Sequence, residues 1–139
     1  MLITVWVGSF WTVGLLVAPM LFVLLPDRDM AGALARHLFA AVEYLGIVCG
    51  GLLLLLMRMA YGRWLAHFGA RLVAIMLILM VVSLLVIDPW VDGLRLSRGV
   101  ADTAFAWAHG AASVIYLLLC LLGLWLLFIN DDRTGVRAE

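Results

Sequence analysis

The chain has 139 residues, of which 67% are hydrophobic and 13% are charged, with a net charge of zero. A soluble domain has about 45–50% apolar and about 25% charged residues, so the composition excludes an ordinary soluble domain and indicates a membrane protein in a lipid bilayer. Lysine is absent and the nine arginines are scattered, so we expect no nucleic-acid partner. Two cysteines carry no disulfide framework.

Four long apolar runs follow one another along the chain. A membrane-spanning helix needs about 20 apolar residues, and continuous runs favour helices over the alternating strands of a barrel. We predict helices at about residues 2–25, 38–57, 72–87 and 104–129, the third ending at Asp88-Pro89. The sequence therefore predicts an all-α, polytopic membrane four-helix bundle that forms a single transmembrane domain over residues 1–139.

The charged residues at the helix ends predict the orientation of the chain. Four spans place both termini on the same side of the membrane, together with five of the nine arginines. Because cytoplasmic loops carry an excess of positive charge, we expect both termini to be cytoplasmic.

Small residues mark the inward faces of the second and fourth helices. Gly46 and Gly50 are four residues apart, and Glu43 lies on the same helical face. We predict that the fourth helix presents a similar face, with Gly110 as a packing residue beside it. That face comprises His109, Ala112, Ser113, Tyr116, Cys120 and Gly123.

Glu43 is the one charged residue inside a predicted span, and His109 is the histidine that lies deepest in one. Both lie five residues from the non-cytoplasmic end, on the order of 8 Å below the surface at 1.5 Å per residue. Pro19 and Ser83 lie at a similar depth, and Pro19 is expected to contribute to packing. We predict a polar pocket for a ligand or a proton, formed by Glu43, His109, Ser83, Ser113, Tyr44 and Tyr116.

The role of the predicted pocket stays open between several interpretations. An ionisable residue inside the membrane is a functional candidate because it is costly to keep there, but Glu43 and His109 could also simply fix the register of two helices. His109 could be an axial ligand of haem, with Tyr44, Tyr116, Met20 or Met76 as the second ligand. Cys49 and Cys120 lie apart from any cluster of metal ligands, so we predict packing roles for them. The sequence has no catalytic motif, and we do not predict an enzyme.

Three stretches resemble a known membrane family. They are VWVGSFWTVGLLVAPMLFVLL, AGALARHLFAAVEYLGIVCGGLLLLL and FAWAHGAASVIYLLLCLLGL. Within them, Ala18-Pro19 with Phe22, Ala31-Gly32 with Leu38-Phe39, and His109-Gly110 are the specific features. The sequence resembles the small four-helix family that includes human transmembrane protein 205 and many bacterial relatives. The resemblance implies a four-helix integral membrane domain of unassigned biochemical function.

A more distant resemblance links the chain to copper-resistance D proteins and four-helix membrane protoporphyrinogen oxidases, which implies a metal or haem. The leading hypothesis is a bacterial inner-membrane protein that binds a small ligand or assists a larger assembly, either with other membrane subunits or as a homo-oligomer. The alternatives are a haem- or metal-binding redox protein and an oligomeric proton-coupled transporter.

Overall fold

The computed structural model describes residues 1–60, 66–100 and 102–135, with side chains described up to residue 129. Every regular element in these ranges is helical. The helices are α1 (Leu2–Leu24), α2 (Arg28–Ala60), α3 (Phe68–Arg98) and α4 (Thr103–Gly135). All four are long and apolar enough to cross a membrane. The predicted all-α membrane fold is confirmed, and the chain is a multi-pass membrane protein.

The helices pack in a ring. Each helix contacts its neighbours in the chain, and α4 closes the ring against α1. Large side chains from three of the helices fill the interior. Helices within a lipid bilayer associate by close packing rather than by exclusion of water. The most deeply buried of these side chains are Trp6, Phe10, Val73, Met76, Met80 and Leu119.

Helix α2 begins ten residues before the predicted start at residue 38. Its first turn is capped by Asp27, whose Oδ1 accepts hydrogen bonds from the backbone N–H groups of Asp29 and Met30 at 2.8 and 3.4 Å. Leu25 has left the helical conformation, as expected for a residue that precedes a proline. The predicted start marked where the apolar run begins, whereas the cap fixes where the helix begins.

Helix α3 continues through Asp88-Pro89, so the prediction that this dipeptide ends the helix is wrong. Residues Ser83–Ile87 form a π-helical turn, closed by a hydrogen bond from the Asp88 N–H to the Ser83 carbonyl. The wider turn accommodates a proline, which would remove a hydrogen bond and clash with the preceding turn of a regular α-helix. Helix α3 then runs to Arg98 and stops at Gly99, which has a positive φ of 82°.

Helix α1 contains a second π segment, Thr12–Val17, also placed just before a proline. Here the Ala18 N–H bonds to the Val13 carbonyl, and Pro19 follows with an exposed ring. Both prolines in the helical interior are thus accommodated in the same way, by one extra residue in the preceding turn.

Candidate functional site

Glu43 and Ser83 are the buried polar side chains of the described region, with 4% and 5% of their surface exposed. Glu43 lies on α2 and Ser83 begins the π turn of α3, where its side chain lies next to the Glu43 carboxyl group. The second carboxyl oxygen, Oε2, has no hydrogen-bond partner among the described residues. Because burying an unpartnered ionisable group is costly, this oxygen is the feature of the bundle that most needs an explanation.

Glu43 is the innermost of three polar positions on α2 that are spaced by seven residues. The other two are Asp29 and Arg36, and a spacing of seven keeps side chains on the same helical face. Each contacts a polar side chain of α3, which runs antiparallel to α2. We call these three contacts the polar ladder. Its rungs are Asp29–Arg95, Arg36–Asp92 and Glu43–Ser83.

The rungs differ in exposure and geometry. In the outermost rung, Arg95 Nη2 donates to Asp29 Oδ1 at 2.9 Å and also reaches the Asp29 carbonyl oxygen at 3.3 Å. In the middle rung, Arg36 donates to Asp92, with both side chains close to half exposed. The third rung is buried. The polar ladder therefore leads from the surface of the bundle to its interior.

The π turn of α3 adds Asp88 to the inner part of the polar ladder. Five residues separate Ser83 from Asp88, which in a regular α-helix would place them well apart around the axis. The i to i−5 hydrogen bond between their backbone groups widens this turn and so brings the two positions nearer to the same side of the helix. Asp88 consequently interacts electrostatically with both Glu43 and Arg36.

Tyr116 approaches the same layer from α4. Its hydroxyl group donates to the Phe10 carbonyl oxygen at 2.7 Å, and the Gly14 backbone contacts the same hydroxyl. A Cβ atom on Gly14 would lie 2.6 Å from Tyr116 Cε1, so only glycine permits this approach. The hydroxyl group thus inserts among the main-chain hydrogen bonds of α1 at its π segment. Tyr116 also interacts electrostatically with Glu43.

Three other predicted site residues face away from the interior of the bundle. His109 is exposed and stacks on Phe105, with ring centroids 5.9 Å apart. Ser113 is exposed and donates to the His109 carbonyl oxygen at 2.9 Å, while Tyr44 is 62% exposed. In the described residues no ion pair joins Glu43 to His109.

The prediction that His109 faces inward is wrong, because the residue that α4 buries at this level is Ala108. Ala108, Leu119 and Gly123 are buried, and His109 is rotated by about 100° from Ala108. The predicted face holds where Cys120 and Gly123 are buried, and it fails at His109 and Ser113, which are exposed. Gly110 also makes no close approach: a Cβ atom there would meet nothing within 4 Å, so the predicted packing role is not supported.

Gly46 and Gly50 accommodate side chains of two other helices. A Cβ atom on Gly46 would lie 2.5 Å from Trp6 Nε1 and 2.7 Å from Met80 Sδ. On Gly50 it would lie 2.9 Å from Leu77 Cδ2 and 3.0 Å from Trp6 Cη2. The two glycines therefore form a shallow seat for the Trp6 indole, directly below Glu43 on the same helical face.

The described residues give no support to a metal or haem site. No group of three or more His, Cys, Asp or Glu side chains in the described ranges is placed to hold a metal ion. Cys49 and Cys120 are free and buried, and Met76 is packed in the core. His109, the proposed haem ligand, points away from the interior, with Met20 likewise exposed.

The sequence reasoning missed five residues of the polar ladder and its inner part: Asp29, Arg36, Asp88, Asp92 and Arg95. All five lie in predicted connections, because the second and third helices were predicted to be too short. A usable signal was present, since Asp29, Arg36 and Glu43 repeat at seven-residue intervals and charges of opposite sign recur between residues 88 and 95.

Comparison with known families gives one match. Residues 1–100 match the model of a family described as a domain of unknown function (DUF4149). The matched segment contains α1, α2 and α3, and with them every residue of the polar ladder, whereas Tyr116 and His109 follow it. No curated protein and no solved structure matches the chain.

Proposed function

The chain belongs to the family of domains of unknown function DUF4149, and we propose that it is a non-enzymatic membrane protein that binds a small ligand at Glu43. The site lies toward the end of the bundle that holds the α1–α2 and α3–α4 connections, which we call the loop end. We place this end on the non-cytoplasmic side of a bacterial inner membrane, with both termini in the cytoplasm.

The unpartnered Oε2 atom of Glu43 is the observation that carries this proposal. A carboxyl group that served only to join α2 to α3 would need one contact, and Ser83 already supplies it. Apolar residues of similar volume would join two helices at a lower cost in buried charge. An ionisable group retained inside the membrane with one oxygen unpartnered favours a binding role.

The ligand must be small and must offer a hydrogen-bond donor. An ionised carboxylate accepts hydrogen bonds and donates none, so Oε2 needs an N–H group, an O–H group or a proton. Glu43 is only 4% exposed, which leaves little space beside it in this conformation. The surrounding side chains, Ser83 and Tyr116, supply further polar atoms at the same level.

An assembly role is compatible with the same site and is part of this proposal. The sequence resemblance to the family that includes human transmembrane protein 205 implies no assigned activity, and we propose that the protein acts as a homo-oligomer or together with other membrane subunits. In such an assembly, binding of the ligand at Glu43 would change the contacts between the surrounding helices.

Reaction with dicyclohexylcarbodiimide tests whether Glu43 is available to a ligand. This apolar reagent modifies carboxyl groups that carry a proton in apolar surroundings. The full chain would be placed in phosphatidylethanolamine–phosphatidylglycerol liposomes, treated, digested and mapped by mass spectrometry. We expect modification at Glu43 in preference to the exposed carboxyl groups of Asp27 and Asp29.

The matched controls are Glu43→Gln, which should lose the modification, and Asp27→Asn, which should retain it. If Glu43 stays unmodified while Asp27 and Asp29 react, the carboxyl group is sealed in the bundle and the proposal is wrong. The same experiment on Ser83→Ala tests whether the contact with Ser83 alone blocks the reagent. Loss of this contact should leave the Glu43 carboxyl group free to react.

A further inference from the structure

We infer that the ligand of Glu43 is a proton, and that it arrives from the loop end through Asp88 under the control of Arg36. The inference rests on the proposed function, because it concerns the same carboxyl group. It is carried by the polar ladder, which extends from the surface to a buried, unpartnered carboxyl oxygen.

The route is built by the two helices that form the polar ladder. Arg36 lies two turns above Glu43 on α2, and Asp88 lies one π turn above Ser83 on α3. Asp88 interacts electrostatically with Glu43 below it and with Arg36 above it. A carboxyl group therefore stands between the half-exposed middle rung and the buried one.

The charges along the route favour a proton over other ligands. A metal ion or an organic cation would have to pass the guanidinium group of Arg36, which repels it at close range. A proton needs no such passage, because it can move between carboxyl and hydroxyl groups that remain in place. The small space around Glu43 favours the same choice.

The transfer consists of two proton movements. The Asp88 carboxylate takes a proton from water at the loop end, and the resulting acid then gives it up toward Glu43. The Ser83 hydroxyl group beside Glu43 can pass its own proton to the Glu43 carboxylate and take back the one that leaves Asp88, carried between the two by an intervening water molecule. Asp88 returns to its ionised form beside Arg36, and Glu43 becomes a neutral carboxylic acid.

The groups that face Glu43 are consistent with this assignment. On α3 they are Ser83 and Asp88, and on α4 Tyr116. The described part of α1 presents aromatic and small residues here and no ionisable side chain. Arg36 on α2 interacts electrostatically with Asp88 and affects Glu43 through it. Asp88 is thus the carboxyl group best placed to exchange a proton with Glu43.

Time-resolved infrared spectroscopy can follow this transfer. The protein is reconstituted in phosphatidylethanolamine–phosphatidylglycerol liposomes, and protons are released by a flash from a caged compound held on one side. The protonated carboxyl band that is absent from Glu43→Gln reports Glu43. We expect it to rise quickly after release at the loop end and slowly after release at the other end.

The Asp88→Asn variant should slow the loop-end rise by about a hundredfold, the usual contribution of a positioned proton-transfer group. Asp102→Asn, at the same end of the bundle but outside the polar ladder, should leave it unchanged. Equal rates from both sides, or an unchanged rate in Asp88→Asn, would overturn the inference while leaving Glu43 as a ligand site. Identical spectra from the wild type and Glu43→Gln would also overturn the inference, whereas resistance of Glu43 to the carbodiimide would overturn the proposed function itself.

Discussion

The inward face of α2 has two halves that are held in different ways. In the loop-end half, charged and polar residues at seven-residue spacing contact α3 through the polar ladder. In the other half, Gly46 and Gly50 receive the Trp6 indole and the side chains of Met80 and Leu77. Glu43 lies at the boundary, with a polar neighbour above and a tightly packed apolar layer below.

The contrast explains why a buried carboxyl group is tolerated at this position. Packing in the glycine half fixes α1, α2 and α3 without help from polar contacts, since close van der Waals packing is what holds membrane helices together. The polar ladder is correspondingly exposed along most of its length, and exposed ion pairs contribute little stability. We infer that the glycine half provides most of the stability and that the polar ladder provides access to Glu43.

The largest expected effect comes from Trp6→Ala. The indole is fully buried at 0% exposure, and removing a buried aromatic side chain leaves a cavity that costs about 4 kcal/mol of unfolding free energy. Denaturant unfolding in detergent micelles measures the loss. The control is Trp107→Ala, since Trp107 is 81% exposed and its removal should change stability little. Comparable losses in both variants would contradict the assigned core.

Gly46→Ala should cost about 2 kcal/mol, because its methyl group would overlap Trp6 and Met80 and force both to move. Gly51→Ala is the matched control on the same helix, where a Cβ atom would meet nothing within 4 Å. The same unfolding measurement should show no loss for the control. A loss in Gly51→Ala as large as in Gly46→Ala would mean that helix geometry, rather than the Trp6 seat, sets the cost.

The middle rung of the polar ladder should be worth only about 0.5 kcal/mol, since Arg36 and Asp92 are 42% and 45% exposed. A double-mutant cycle with Arg36→Gln and Asp92→Asn measures this coupling in the unfolding free energy. The charge-swapped pair Arg36→Asp with Asp92→Arg should recover it. A coupling as large as the cost of Gly46→Ala would show that the polar ladder holds the bundle together.

The outermost rung should give the smallest effect. Asp29 is 75% exposed on its side chain, so a cycle with Asp29→Asn and Arg95→Gln should show a coupling of about 0.3 kcal/mol at low salt. Added salt should remove it, because exposed pairs are screened. A coupling that persists in molar salt would place this rung in a drier environment than its exposure indicates.

The sequence predicts the fold class well, because 18 to 25 apolar residues in a row can satisfy their backbone only as helices in a bilayer. It predicts helix ends poorly for a physical reason. The run of apolar residues marks where lipid could begin, whereas Asp27 caps α2 and the π turn before Pro89 lets α3 continue. Asp27 lies outside the apolar runs and the π turn is a feature of backbone geometry, so hydropathy alone cannot show either.

The candidate site is only partly predictable. Glu43 stands out as the charged residue inside a span, and the structure brings the predicted Ser83 next to it. His109 was chosen because it shares a helical face with Cys120 and Gly123, but at its own level the helix buries Ala108 and exposes His109. Tyr116 joins the layer through Gly14 and the π segment of α1, a contact that depends on backbone geometry.

The central claim is that Glu43 is partnered by α3 and not by His109 of α4. Paired cysteine substitutions test this directly, in a background with Cys49 and Cys120 replaced by alanine and with oxidative cross-linking in liposomes. We predict that Glu43→Cys with Ser83→Cys forms a disulfide, and that Glu43→Cys with His109→Cys does not. The reverse pattern would contradict the account, because it would place the carboxyl group against α4.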